Sequence, residues 1–333
     1  MFIKKITLTN FRNHTTYHLD CKPDTTLILG ENGCGKTSVL EAIYILTRGK
    51  SFRATDPDIL KRGKEYYRIE LEYDNGEIIA ATFDGTTKTF KTIDKTSRRL
   101  ALKNKYPIIL FLPSDLNLVS GPPSRRRDYF DRIYSDFSDD YAVKLRKYNK
   151  ALRQRNELLK QEVVDKTALF PWDLLLANLG SELVKYRTEF TAEINKTLNK
   201  TYYSIAENKD IVELLYTTAI KNITKDIFLN QLNKNHDKDC ILGYTTFGIQ
   251  RDTFDFIFNN KPADGSASRG ETRSIILALK FVEAAIVENK LNKKPIILLD
   301  DVFSELDDTR RHCLVNNFKN HQVIITSVED INY

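Results

Sequence analysis

The chain has 333 residues, 41% of them hydrophobic and 29% charged, and its 51 Lys and Arg against 45 Asp and Glu give a net charge of +6. These proportions exclude a disordered or collagen-like chain and fit a globular protein too long for one small core. The mild positive excess is compatible with nucleic acid without requiring it.

Four scattered cysteines, Cys21, Cys34, Cys240 and Cys313, form no C-x-x-C pair and no disulfide framework, as in a reducing cytoplasm. The longest apolar tract, Ile275 to Val287, is broken by Lys280 and Glu283, so no membrane span and no membrane partner is expected. In chain order, Ile3 to Leu8 alternates as a strand that is left at Asn10-Phe11-Arg12-Asn13. Thr25 to Leu29 reads as a buried strand and Thr37 to Arg48 as a helix. Between them stands Gly30-Glu31-Asn32-Gly33-Cys34-Gly35-Lys36-Thr37, which fits the phosphate-binding pattern G-x-x-x-x-G-K-[ST]. Its glycines let successive backbone N–H groups turn toward phosphate oxygens. Lys36 is placed to reach the β- and γ-phosphates, and the Thr37 hydroxyl to meet Mg²⁺. The helix that follows turns its positive end toward the same anions. Cys34 fills a variable position of the loop, where oxidation would block nucleotide.

Tyr66 to Tyr73, Glu77 to Phe83 and Lys88 to Ile93 alternate as strands around turns at Asp74-Asn75-Gly76 and Asp84-Gly85, which predicts an antiparallel meander. Pro107 to Leu112 is a short buried strand, and Gly121-Pro122-Pro123 punctuates the chain. Two apolar stripes follow, Leu145, Tyr148, Leu152 and Leu159, then Trp172, Leu176, Leu179, Leu183, Tyr186, Phe190 and Ile194. With a break at Lys166 to Pro171 they predict an antiparallel helical hairpin, a projecting arm or lid. Glu207 to Asp239 is largely polar and shows no clear pattern. The last third alternates again: a helix over Ser268 to Val287, a strand over Pro295 to Leu299, a helix over Glu305 to Phe318 and a strand over Gln322 to Thr326. The predicted organisation is an N-terminal α/β part with the phosphate loop and meander over 1–120, a helical arm over 121–240 and a C-terminal α/β part over 241–333.

A phosphate loop needs an acid for its cation. Asp300 stands at the carboxyl end of a buried strand, where α/β sheets hold ligands, and is read as the Mg²⁺ acid. Asp301 beside it is read as the residue that orients or deprotonates the attacking water; the plain alternative is that both acids cap the next helix. Ser268-Arg269-Gly270-Glu271 opens a helix before that strand, and Ser304-Glu305-Leu306-Asp307 follows it. Between Ser124 and Lys160 lie 11 Lys and Arg and six acids, so this segment carries most of the positive excess. Arg146, Lys150 and Arg153 share one helical face there, a stripe suited to phosphate contacts, although a solvated face is the usual reason for such a run.

These motifs, in this order, resemble the ABC-type ATPases of the SMC branch and, more closely, the RecF family of bacterial recombination mediators. The matching stretches include Leu8 to Asn13, the phosphate loop through Glu41-Ala42-Ile43, Ser51-Phe52-Arg53, Phe111 to Leu116, Gly121 to Arg127, Ser268-Arg269-Gly270 and Leu298 to Asp307. The resemblance implies an α/β ATPase head and an ATP-dependent homodimer. ATP and Mg²⁺ would be held by Arg12, Asn13, Gly30 through Thr37 and Ser38 of one subunit, and by Ser268, Arg269, Gly270 and Asp307 of the signature and following segments, with Ser268 docking from the other subunit. It also implies sequence-independent binding to gapped DNA or to single-strand/double-strand junctions, through Arg125, Arg126, Arg127, Arg146, Lys150 and Arg153, and work with RecO- and RecR-like mediators that serve a recombinase. Several positions depart from the family pattern. Ala267 stands where relatives often carry leucine and Glu271 where they usually carry Gln, only Asp115 stands in for a Q-loop glutamine, and Thr326-Ser327 stands where many relatives carry His. Slow hydrolysis is therefore expected, as the reset of a switch. A small-molecule phosphotransferase would lack the Ser268 and Ser304 segments, and a structural or nuclease-associated SMC subunit would need longer heptad arms.

Overall fold

The computed structural model describes residues 1–101, 105–161, 164–219 and 224–328. Strands β1 (Ile3–Phe11) and β2 (His14–Asp20) form an antiparallel pair. No residue of β2 is fully buried; only Tyr17 and Leu19 alternate, partly buried against the core, which is too short a run for the sequence pattern to show. β3 (Thr25–Leu29) leads through the glycine-rich loop into α1 (Lys36–Arg48), which Gly49 terminates in the left-handed region with φ 85. After the short helix α2 (Asp56–Ile59), strands β4 (Tyr67–Tyr73), β5 (Ile78–Phe83), β6 (Lys88–Lys91) and β7 (Thr96–Ser97) extend the first pair into a sheet ordered β2-β1-β4-β5-β6-β7. This is the expected meander of β4, β5 and β6, extended by β1, β2 and β7. Gly76, at φ 81, makes the β4–β5 turn. β8 (Ile108–Phe111) ends in a 3₁₀ turn, where the Asp115 carboxylate accepts from the Leu112 N–H at 3.1 Å. That acid is buried, and its carboxylate caps the turn.

Three helices follow: α3 (Pro123–Phe137), α4 (Asp139–Leu159) and α5 (Lys166–Ala206). The expected break at Lys166 to Pro171 is instead the start of α5, capped by Asp165, whose carboxylate accepts from the Thr167 N–H. Pro171 sits near the helix start and removes a single backbone bond there. The polar stretch without a pattern holds β9 (Val212–Thr217), α6 (Lys225–Lys234) and α7 (His236–Leu242). β10 (Thr253–Phe258) pairs with β9 along its whole length, and β11 (Lys261–Pro262) completes a three-stranded sheet. The open edge of β9 is closed by side chains: Asn195 exchanges two bonds with the Leu214 backbone (2.8 and 2.9 Å), and Asn199 accepts from the Val212 N–H at 2.9 Å.

After the single turn α8 (Ala263–Ser266) comes α9 (Arg269–Leu291), then β12 (Ile296–Asp300), α10 (Asp308–Phe318) and β13 (Val323–Ser327). α10 starts at Asp308 and not at Glu305, because a 3₁₀ turn occupies Val302–Glu305 and Asp307 caps the helix by accepting from the Arg310 N–H. The parallel sheet has the order β3-β13-β12-β8, and β8, β12 and β13 are buried at every residue, as in a sheet covered on both faces.

The chain divides into two compact units, Met1–Leu116 with the chain from Ala284 onward, and Asn117–Glu283. The return to the first unit falls at 284 and not at 241, because β10 and the first part of α9 belong with the helical unit. In the first unit, Leu8, Leu40, Ile43, Leu71, Leu298 and Ile324 share one core around α1. Gln322 ties its two sheets together by bonding both the N–H and the carbonyl of Ile3, at 2.8 and 2.7 Å.

Candidate functional site

The loop after β3 has its shape for steric reasons. Gly33 and Gly35 lie at φ 84 and 103, where other residues are strained. A Cβ on Gly35 would come within 2.4 Å of His14 Nε2, and one on Gly30 within 2.6 Å of Cys34 Sγ. Asn13 Nδ2 donates to the Gly33 carbonyl at 2.9 Å, which anchors the loop to the β1–β2 turn. Lys36 Nζ is folded back onto the carbonyls of Gly30 (2.5 Å) and Glu31 (3.0 Å).

The strand order places β13 between β3 and β12, so their carboxyl ends converge. Thr37 Oγ1 donates to Asp300 Oδ1 at 2.8 Å, across 263 residues of sequence. Thr326 Oγ1 donates to the same oxygen at 2.9 Å and accepts the Asp301 N–H at 3.0 Å. The residue that stands where many relatives carry a histidine thus joins the Asp300 carboxylate to the backbone of Asp301. Asp301 sits in the left-handed region, φ 50, which is costly for a residue with a Cβ. Its Oδ1 is buried and has no hydrogen-bond partner among the described residues. Burial pushes the Asp301 carboxyl above its ordinary range; Lys36 pulls it down, while Asp300 and Glu305 add to the rise.

Opposite these acids stands a pair of arginines. Arg12 grips Glu41 with two bonds (2.9 and 2.8 Å), and Arg53 grips the same carboxylate with two more (3.1 and 3.0 Å). Burial alone would raise the Glu41 carboxyl, but the bonds from Arg12, Arg53 and Ser51 outweigh it and hold it below its ordinary value. One carboxylate shared by two guanidiniums leaves a net positive wall. Arg53 is a site residue that the motif reading misses; its only signal was an arginine in a stretch matched to the family.

A cleft of about 660 Å³ collects these groups, and its lining includes Arg12, Asn13, Asn32, Gly33, Gly35, Lys36, Thr37, Ser38, Arg53, Asp300 and Asp301. Of the expected loop residues, Gly30, Glu31 and Cys34 do not line it. Asp307 does not line it either: its carboxylate is committed to the Arg310 N–H and guanidinium at the start of α10. The Thr37 hydroxyl and the Asp300 carboxylate are the hard oxygen donors that Mg²⁺ takes. No cluster of three His, Cys, Asp or Glu among the described residues could hold a metal by itself. The site therefore fits a cation that completes its shell with water and phosphate oxygens.

Ser268, Arg269 and Gly270 belong to the second unit, where Ser268 caps α9. Its hydroxyl accepts from the Glu271 N–H at 3.3 Å, while the Glu271 carboxylate accepts from the Ser268 N–H at 2.6 Å, a reciprocal capping box. The Glu271 charge is thus engaged with the backbone of its own helix start. Ser268 and Arg269 are exposed.

The basic residues of this unit separate into two kinds. Arg146, Lys150 and Arg153 are exposed along α4. Arg126 is buried, and its guanidinium bonds the Gly121 carbonyl (2.5 Å) and the Asp255 carboxylate (2.7 Å), so a role in DNA contact is corrected to a structural one. Arg127 is half-buried and donates to the Asp252 carbonyl at 2.9 Å; Arg125 is half-buried. Arg155, counted in the positive excess, is fully buried as well.

The parallel sheet, the phosphate loop and the acid facing it define a P-loop ATPase of the ABC type, with an antiparallel sheet beside the nucleotide cleft. The family model for an AAA ATPase domain matches residues 1–241. The DNA replication and repair protein RecF of Leptospira interrogans is 33% identical over 95% of this chain and 88% of its own length. That of Clostridium perfringens is 31% identical over 99% of this chain and 94% of its own. A solved structure described as the recombination mediator protein RecF–ATP in the RecFOR pathway superposes with a TM-score of 0.90 at 28% identity, covering 100% of this chain and 93% of the other. The chain belongs to the RecF family of DNA replication and repair proteins. Among the described residues no helix is long and apolar enough to cross a membrane.

Proposed function

We propose that this chain is an ATP-operated switch that binds gapped DNA as a nucleotide-closed homodimer in the cytoplasm and resets by slow hydrolysis. The observation that carries the reading is the convergence of buried Lys36, half-buried Thr37 and buried Asp300, a cation, a hydroxyl and a carboxylate on one cleft. Lys36 and the N–H groups of the loop hold the β- and γ-phosphates. Thr37 and Asp300 hold Mg²⁺, which when bound draws charge from the phosphate oxygens. Asp301, next in the chain and raised in pKa, orients the attacking water and takes its proton. Arg12 and Arg53 supply positive charge on the facing wall. The similar protein solved with ATP supports the nucleotide, and its RecFOR pathway supports partners of the RecO and RecR kind.

The exposed start of α9 docks on the partner subunit's nucleotide, so that the γ-phosphate joins the dimer and hydrolysis releases it. Ser268→Arg tests this step. The variant should bind ATP as a monomer with wild-type affinity and fail to dimerise with ATP in sedimentation velocity. Normal ATP-induced dimerisation of the variant would remove the α9 start from the joint.

A further inference from the structure

The six-stranded sheet ends in a hairpin that the nucleotide cleft does not use. Between Lys88 and Lys105 the sequence is rich in Lys and Arg and holds one acid, Asp94. Lys88 is committed to Asp56 at 2.8 Å. Lys91, Lys95, Arg98 and Arg99 are exposed. Phe90 points into the core, so Lys91 next to it points to the opposite face. The turn is pinned, because the Thr92 N–H and hydroxyl both donate to the Lys95 carbonyl, at 3.0 and 3.2 Å. Beyond β7 the Ser97 hydroxyl donates to the Arg99 carbonyl at 2.7 Å, which fixes the bend that carries the two arginines.

Four like charges on one ordered hairpin repel one another, and a bound polyanion relieves that repulsion. The plain explanation is protection of a sheet edge, since lysines on an edge strand discourage pairing with another chain. It accounts poorly for Arg98 and Arg99, which lie past the two residues of β7 and guard no ladder.

We infer that the β6–β7 hairpin is a second nucleic-acid surface, on the unit that holds the nucleotide cleft, and that it grips the DNA phosphate backbone without reading sequence. The inference rests on the DNA-binding reading above and adds a contact to the α4 stripe, which lies on the other unit. Phosphate contacts of this kind displace counterions, so each is counted by the dependence of affinity on salt.

The test uses the full chain with ATP and a fluorescein-labelled gapped duplex, with anisotropy measured across a salt series. In the variant combining Lys91→Ala, Lys95→Ala, Arg98→Ala and Arg99→Ala, the slope of log K against log salt should shrink by about 0.9 for every duplex phosphate no longer neutralised. Nucleotide affinity should stay at the wild-type value. The pair Arg98→Gln with Arg99→Gln leaves the strand ladder untouched and should shrink the slope in the same sense. An unchanged slope in both variants, with DNA still bound, overturns the inference. So does a fourfold variant that self-associates while keeping the wild-type slope, since its cations then guard only the edge. A wild-type protein that binds no DNA with ATP present fails the DNA-binding reading itself, a result distinct from unchanged slopes in the variants.

Discussion

In the second unit Arg155 is fully buried between two carboxylates, with Nε bonded to Asp173 at 2.5 Å and a terminal nitrogen bonded to Asp239 at 2.7 Å. Arg187 is buried in the same manner between Asp131 (2.8 Å) and Asp252 (3.2 Å). In the first unit Lys36 and Asp300 are each only 8% exposed, yet Lys36 meets carbonyls and Asp300 meets hydroxyls. Isolated charges are costly to bury, so a cation and an anion that share a cleft without pairing have a reason other than folding. The second unit uses buried charge to join α4, α5 and α7; the first holds it ready for a ligand. Glu41 lies between these cases, neutralised by two arginines that still leave the cleft wall positive.

The largest expected effect is on the ligand side of this contrast. Asp301→Asn keeps size and hydrogen bonding but cannot take a proton, so cleavage in single-turnover assays should slow by roughly 10²–10⁴ while ATP still binds. The ATP-bound dimer should accumulate and leave DNA more slowly. Loss of ATP binding would move Asp301 to the cation, and normal turnover would remove it from the chemistry.

Next comes the architectural side. Arg155→Leu leaves Asp173 and Asp239 buried without a counter-charge and should lower stability by about 3–5 kcal/mol in urea unfolding. ATP affinity of the folded fraction should stay unchanged, because the broken pair serves only the helical unit. A neutral result would show that the carboxylates take up protons without harm and would blur the contrast.

The smallest effect is at the surface. Replacing Arg146, Lys150 and Arg153 by Ala should weaken all DNA sequences alike and shrink the salt slope by about 0.9 per phosphate on duplex DNA. Stability should hardly move, since exposed charges contribute little to it. An unaltered slope would place the DNA path away from α4.

The sequence reveals the cleft better than the arm. The phosphate loop, the strand before it and the helix after it are local patterns, and the apolar run ending in Asp300 is one too. The meander is legible because Asn75-Gly76 forces a turn between alternating runs. What sequence does not disclose depends on distant partners. Arg126 and Arg155 look like surface cations until Asp255, 129 residues from Arg126, and Asp239, 84 residues from Arg155, are brought beside them. β9 hides in a polar stretch because only one of its faces is buried and Asn195 and Asn199 serve its edge. Thr326 reads as a missing histidine until the strand order sets its hydroxyl between the Asp300 carboxylate and the Asp301 backbone N–H.

The central claim is that the buried charges of the first unit serve a ligand and not the fold. Lys36→Ala tests it when nucleotide affinity and unfolding free energy are measured on the same preparation. The account predicts that ATP affinity falls at least about tenfold, the worth of one charge-assisted hydrogen bond, while stability changes by less than about 1 kcal/mol. A variant that binds ATP as the wild type does, or one that keeps its affinity and loses several kcal/mol of stability, would contradict it.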